Sequence, residues 1–420
     1  NIFFGTGIPT IIMVLKQKRS NTDVLIVDAS KGFIKVGKNN KLRASDIKRI
    51  VDVVTKRESV QKFSKVVSRD EIRKNEYNLN IPRYVDSSEA AESWDIYASM
   101  FGGLPLSEID ELKEYWIAFP ELRNALFENT SSAYCNLRVE NIKKAIKEHS
   151  DVCSFENKYR DVFSGFDEYL YDELIEKMTA LNISKAEATL SADIFERLKD
   201  IPLVDKYEAY QLLDDDWTKI AVDLEIIQTE GFEATKRVDP NMVIKKKDGK
   251  EQEVQEGWVG RIIPFDLIQD TLLADDRAAL KTKENRLSEI ASEYEELFDS
   301  LTEEEKEGDY ASEDGFVNAE IKKALKSDSV EPETKEKLRK VAALATEEKE
   351  LKAAIKKDAG LLEGKTKETI ESLSDEQVID LLKDKWITPL IQSLMKLPDS
   401  IVNELVSKLE ALTKKYETTF

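Results

Sequence analysis

The chain has 420 residues, a formal net charge of −20, 41% apolar and 35% charged residues, and few glycines or prolines. That composition describes a globular, helix-rich protein of two to four domains and excludes a disordered one. It contains no run of about 18 apolar residues of the kind that crosses a membrane. The first fifteen residues lack the basic start and small-residue cleavage site of a secretory signal, so the default location is cytoplasmic. Cys135, Cys153 and His149 are the only cysteines and histidine, too few for a three- or four-ligand zinc site. Both cysteines are expected as buried thiols without a disulfide, and His149, on the charged stretch Lys143 to His149, is not expected to be catalytic.

Charge divides the chain in two. Residues 1–85 hold 18 Lys and Arg against 8 Asp and Glu, a net of +10, which leaves 45 against 75 and a net of −30 for residues 86–420. A basic block joined to an acidic remainder suggests that the first faces a polyanion while the second stays solvated or meets a basic partner. The plainer alternative is a solvated basic surface.

In chain order, the aromatic, glycine-bearing Asn1 to Thr10 runs into an apolar segment. Ile8 to Leu15 reads as a strand buried on both faces and Val24 to Val27 as a second. Two strands make a marginal sheet, so the opening reads as the end of a larger sheet domain and the chain as a fragment. Phe33 and Ile34 precede the basic turn Lys35 to Lys41. Ser45 is placed to cap a helix carrying Ile47, Ile50, Val51 and Val54. Asn78 to Asp86 reads as extended, because Pro82 disfavours a helical Ile81.

Beyond residue 87 the pattern turns helical. Ser107 is a candidate cap, and Phe163, Phe166, Leu170, Leu174 and Met178 share one core face. Asp214, Asp215 and Asp216 resemble metal ligands only superficially, since neighbouring side chains on a helix point about 100° apart. Asp248-Gly249 between two strand-forming arms predicts a hairpin, with Gly257 to Phe265 as a third strand. Leu287, Ile290, Tyr294, Leu297 and Leu301, then Val341, Leu344, Leu351 and Ile355, have heptad spacing suited to a projecting antiparallel arm. Trp386, Leu390, Leu394 and Leu397 supply a final core face, after a helix-start signal at Leu373 to Gln377. The expected organisation is mainly α with small β elements: a block at 1–86, a helical region at 87–240, a β-hairpin insert at 241–265, a coiled-coil-like arm at 266–365 and a helical region at 366–420. Two apparent phosphate motifs fail. Gly360 to Thr366 has three residues between its glycines where a phosphate-binding loop has four, and Phe4-Gly-Thr-Gly7 leads into a strand with Thr10 at the third glycine position.

The ordered segments Asn1 to Lys16, Val24-Leu-Ile-Val-Asp-Ala-Ser30 and Asn78-Leu-Asn-Ile-Pro-Arg-Tyr-Val-Asp86 resemble the end of the catalytic domain of the type I restriction-modification DNA methyltransferase subunit. Asp205 to Leu213, Asp223 to Thr235, Val254 to Trp258 and Asp375 to Trp386 are similar to long-tailed members of that family. The resemblance implies that residues 1–86 are the remnant of an α/β methyltransferase sheet. It also implies a subunit that methylates the exocyclic nitrogen of adenine in double-stranded DNA, using S-adenosylmethionine. The implied partners are a specificity subunit, a second methyltransferase subunit and, in some assemblies, a restriction (nuclease) subunit, with no membrane.

The family's cofactor loop, Asp-Pro-x-x-Gly-Ser-Gly, and its Asn-Pro-Pro-Phe or Asn-Pro-Pro-Tyr catalytic segment occur nowhere in residues 1–420. No catalytic residue is therefore expected in this stretch, and by itself it is expected to be inactive. By resemblance Phe3 and Phe4 would stack on a flipped adenine, and Gly5 and Gly7 would let the loop approach DNA; core packing is the alternative for both rings. Lys16, Lys18, Arg19, Lys38 and Lys41 are candidate phosphate contacts. The alternative function is a non-catalytic coiled-coil adaptor whose basic block binds nucleic acid.

Overall fold

The computed structural model describes residues 10–88, 94–247, 250–312, 315–327 and 330–417. Helices dominate, and among the described residues the strands form only small antiparallel sheets. Two compact units result, Asn1–Val222 with Trp386–Phe420, and Asp223–Lys385.

The basic block begins with β1 (Val24–Val27), a hairpin of β2 (Ile34–Val36) and β3 (Asn39–Lys41), and helix α1 (Ala44–Lys56). Strand β4 (Ser64–Val67) and helix α2 (Arg69–Lys74) follow. β1 pairs antiparallel with β4, from Val24↔Val67 to Val27↔Ser64. The strand expected at 8–15 is absent over its described part: Ile11 to Leu15 lie in irregular chain and are 61–86% exposed. An apolar run becomes a strand only when a neighbour takes its backbone hydrogen bonds, and no described segment pairs with this one.

Local chemistry explains further departures. α1 starts at Ala44 and not with Ser45 as its cap; the Asp46 carboxylate accepts the Arg43 amide at 2.9 Å, and Ser45 is buried inside the first turn. Ile81–Arg83 forms a 3₁₀ turn where an extended segment was expected, with Pro82 in its first positions, where the missing N–H costs nothing. The helix at Leu106–Asp110 is preceded by Pro105, so Ser107 lies within it and does not cap it.

The core of the first unit follows the predicted face. Phe163, Phe166, Leu170, Leu174 and Met178 are all buried, as are Trp386, Leu390 and Leu394, while Leu397 is half-buried. Tyr159, fully buried, donates its hydroxyl to the Leu394 carbonyl at 2.9 Å. Strands β5 (Leu104–Pro105), β6 (Phe127–Asn129) and β7 (Tyr134–Leu137) make a small sheet with β7 in the centre. Cys135, on β7, is buried, and desolvation pushes its thiol up to about 11. Cys153 is exposed, contrary to expectation, because helix Ser150–Val162 turns Val152, Phe155 and Tyr159 inward.

In the second unit, β8 (Val238–Lys247) pairs with β9 (Lys250–Gly260) through Val243↔Val254, with a bulge between Pro240 and Met242. The expected third strand does not form, since Gly257–Gly260 continues β9 through a glycine at φ +75°. The predicted turn residues Asp248 and Gly249 lie outside the described residues. Helices Ala274–Asp299 and Pro332–Glu371 run antiparallel. Asp276 meets Lys365 at 2.8 Å, Arg286 meets Glu347 at 2.7 and 3.0 Å, and the Ser300 carbonyl meets Lys337 at 2.8 Å. Ile290, Val341 and Leu344 are buried, Leu287, Tyr294, Leu297, Leu351 and Ile355 half-buried. A terminal cluster of Leu301, Tyr310, Ile321, Leu338 and Val341 closes the hairpin. In the next helix start, Ser374 Oγ accepts the Gln377 amide and Gln377 Oε1 accepts the Ser374 amide, at 3.2 and 2.9 Å.

Candidate nucleic-acid interface

The block at residues 10–88 is built on a small apolar cluster. Ile26 from β1, Val67 from β4, Ile72 from α2 and Tyr84 and Val85 from the Asn78 to Asp86 segment pack together. Tyr84 also donates its hydroxyl to the Asn78 carbonyl at 2.6 Å, closing that segment on itself. The link that matters most lies at the ends of two segments widely separated in sequence. Ser87 donates to Asp28 Oδ2 at 2.5 Å, and the Ser30 amide donates to Asp28 Oδ1 at 3.0 Å. Partial burial pushes the Asp28 carboxyl upward, but the hydrogen bonds from Ser87 and Ser30 outweigh it and hold the group below the ordinary carboxylate range. Val24 to Ser30 and Asn78 to Asp86 are therefore one structural object.

The cations of the block fall into two groups. One group is engaged within the protein. Arg19 donates to the Asp23 carbonyl, and Arg57 reaches the Asp23 carboxylate at 3.0 Å. α1 docks on helix Lys206–Glu230 through Arg43 to Glu208 at 3.0 Å, Arg49 to Asp205 at 3.4 Å, and the Ser45 amide to Gln211 Oε1 at 3.0 Å. Lys48 sits 5.1 Å from the Phe195 ring and 5.4 Å from Tyr210; Arg49 sits 4.8 Å from Phe63 and 5.4 Å from Tyr207. Tyr207 donates to Asp52 at 3.3 Å, and burial together with that carboxylate raises its hydroxyl to about 12. The segment Asp205 to Leu213 is thus the acidic and aromatic counterpart of α1. Part of the basic charge meets acidic residues of its own chain and not a polyanion.

The second group is free. Lys16, Lys18, Lys38 and Lys41 are exposed and have no ion-pair partner among the described residues, and the same holds for Lys35 and Arg83, which the sequence candidates omitted. For Lys35 the available signal was its place at the start of the same basic turn that holds Lys38 and Lys41. Phe3, Phe4, Gly5 and Gly7 lie outside the described residues.

Other candidate chemistry resolves into structural roles. His149 caps helix Ser150–Val162, its Nδ1 accepting the Asp151 amide at 3.2 Å. Burial holds the Asp214 and Asp216 carboxyls above their ordinary range, and no group of metal-ligating side chains occurs among the described residues. Gly360 and Gly364 lie inside helix Pro332–Glu371, where no phosphate loop can form.

The matched region coincides with this block. Residues 1–93 match the N-6 DNA methylase family. Over this stretch, under a quarter of the chain, the sequence is similar to that family. It is similar to the type I restriction enzyme MpnII methylase subunit of Mycoplasma pneumoniae, 38% identical over 97 residues, 23% of this chain and 18% of the relative. The MjaVII methylase subunit of Methanocaldococcus jannaschii is 35% identical over 119 residues, 27% of this chain and 19% of the relative. The MjaVIII methylase subunit of the same organism is 36% identical over 101 residues, 23% and 18% of the two chains. The chain thus spans about a fifth of the length of these curated relatives. No solved structure matches it significantly. No described helix is long and apolar enough to cross a membrane.

Proposed function

We propose that the chain is part of the modification subunit of a type I restriction-modification system, which methylates the N6 position of adenine in double-stranded DNA. The observation carrying this reading is the family match over residues 1–93, together with the Asp28–Ser87 link that joins two of the matched segments into one folded block. The cofactor and catalytic signatures do not occur in residues 1–420, so these residues do not fit S-adenosylmethionine and receive no role in holding it. Their role is on the DNA and assembly side. Phe3 and Phe4 would offer the flipped adenine a stacking surface worth about 1–3 kcal/mol per base, with Gly5 and Gly7 allowing close approach of the loop. Lys16, Lys18, Lys38 and Lys41 would meet phosphates, and the helical regions would pack on the specificity subunit and a second methylase subunit.

The test uses the whole subunit with its specificity partner, methyl-labelled S-adenosylmethionine and duplex DNA. Label on adenine N6 supports the reading, and its absence from adenine overturns it. With 2-aminopurine at the target, Phe3→Ala should lower both the fluorescence rise and the rate; unchanged values remove Phe3 from the stacking role.

A further inference from the structure

We infer that the β2–β3 hairpin is a ribbon that enters a groove of duplex DNA, an inference that rests on the reading of DNA as the substrate. Cross-strand partners in an antiparallel pair lie on the same face, and the register is Ile34↔Lys41, Lys35↔Asn40 and Val36↔Asn39. One face therefore carries Ile34, Val36, Asn39 and Lys41, and the other carries Lys35 and Asn40. Lys38 occupies the tip beside Gly37, whose φ of +60° suits the tight turn. Cations thus stand on both faces and at the end.

A ribbon lying flat on a protein surface needs a charged or apolar character on one face only, whereas a groove has a phosphate wall on each side. Between Ala29 and Ser45 there is no acidic residue. Lys35, Lys38 and Lys41 have no ion-pair partner among the described residues. Ile34 and Val36 are 41% and 54% exposed between these cations. Such side chains fit base edges, above all the thymine methyl, and a two-stranded ribbon fits the major groove, about 12 Å wide. Asn39 and Asn40 add donors and acceptors at the same depth.

The experiment measures binding of the full chain to a short fluorescein-labelled duplex by anisotropy across a salt series, with dimethyl sulfate probing of guanine N7, which faces the major groove. The combined variant Lys35→Ala, Lys38→Ala and Lys41→Ala should flatten the slope of log K against log salt by about 2.7, or 0.9 for each lost contact, and abolish N7 protection. Lys→Arg at the same positions should restore both. A variant changing exposed Lys56, Lys62 and Lys74 to Ala should keep N7 protection. If the unmodified chain binds and protects N7 but the hairpin variant does so equally, the hairpin inference fails while the DNA reading stands. Binding without N7 protection overturns groove entry in the same way. Failure of the unmodified chain to bind duplex at low salt overturns the DNA role of this block as well.

Discussion

Replacing Tyr207 by Ala tests whether α1 is held by the aromatic and acidic face of helix Lys206–Glu230. The ring stacks edge-on with Phe195 at 5.3 Å, a contact worth about 0.5–1.5 kcal/mol. Arg49 and Lys206 lie 5.4 and 5.3 Å from the ring centre, each adding about 0.5–1 kcal/mol at a partly exposed site. The hydroxyl bond to Asp52 contributes roughly 0.5–1 kcal/mol. Because these contributions share one side chain and are not independent, the expected loss is about 2–3 kcal/mol. Native-state hydrogen exchange is the suitable assay, because a chain of two units need not unfold in one step. At about 1.4 kcal/mol per decade, amides of α1 that exchange by local opening should exchange roughly 30- to 150-fold faster in the variant. Tyr207→Phe, which keeps the ring, should show about 1 kcal/mol or less. Less than about a threefold change in α1 with Tyr207→Ala would refute the docking argument.

Two further outcomes follow from the carboxylates. Asp28 has a depressed folded value, so its contribution is present above the ordinary carboxylate pKa and is lost as pH falls through the folded value. Ser87→Ala should raise the Asp28 pKa toward normal, read by carboxyl-carbon NMR titration, and cost about 1 kcal/mol; an unmoved titration would remove Ser87 as the stabilising donor. At the end of the helical hairpin, burial opposes ionisation of Glu305, yet Thr334, the Thr302 amide and Lys337 together hold it at about 2. Its contribution, about 1 kcal/mol once solvent screening is allowed for, should be complete above the unfolded value near 4.5 and fade as pH falls toward 2. Glu305→Gln should flatten that acid dependence, measured by exchange at Tyr310 and Ile321.

Much of the fold was readable one segment at a time. The face from Phe163 to Met178 is buried as its spacing requires, and the two arms flanking Asp248-Gly249 pair as β8 and β9. The Ser374 and Gln377 start signal makes its reciprocal hydrogen bonds. The failures were at places where a neighbour decides. Ser45 had the right chemistry for a cap, but Asp46 was better placed for the Arg43 amide. Cys153 had the right residue type for a core, but the helix turned it outward. Of the candidate site, the cationic character was legible, whereas Arg19 gave no sign that Asp23 would engage it.

The amino-acid order alone determined the helical spacing, the split between basic and acidic regions and the resemblance carried by Val24 to Ser30 and Asn78 to Asp86, because each depends on residues close together in the chain. The tertiary structure decided which cations remain available. Arg43, Lys48 and Arg49 face the carboxylates and rings of helices Ile183–Leu198 and Lys206–Glu230, while Lys35, Lys38 and Lys41 face solvent. Charge is a property of a residue, but its neutralisation depends on what folding brings within about 4 Å, and that distance is set by packing between segments well over a hundred residues apart.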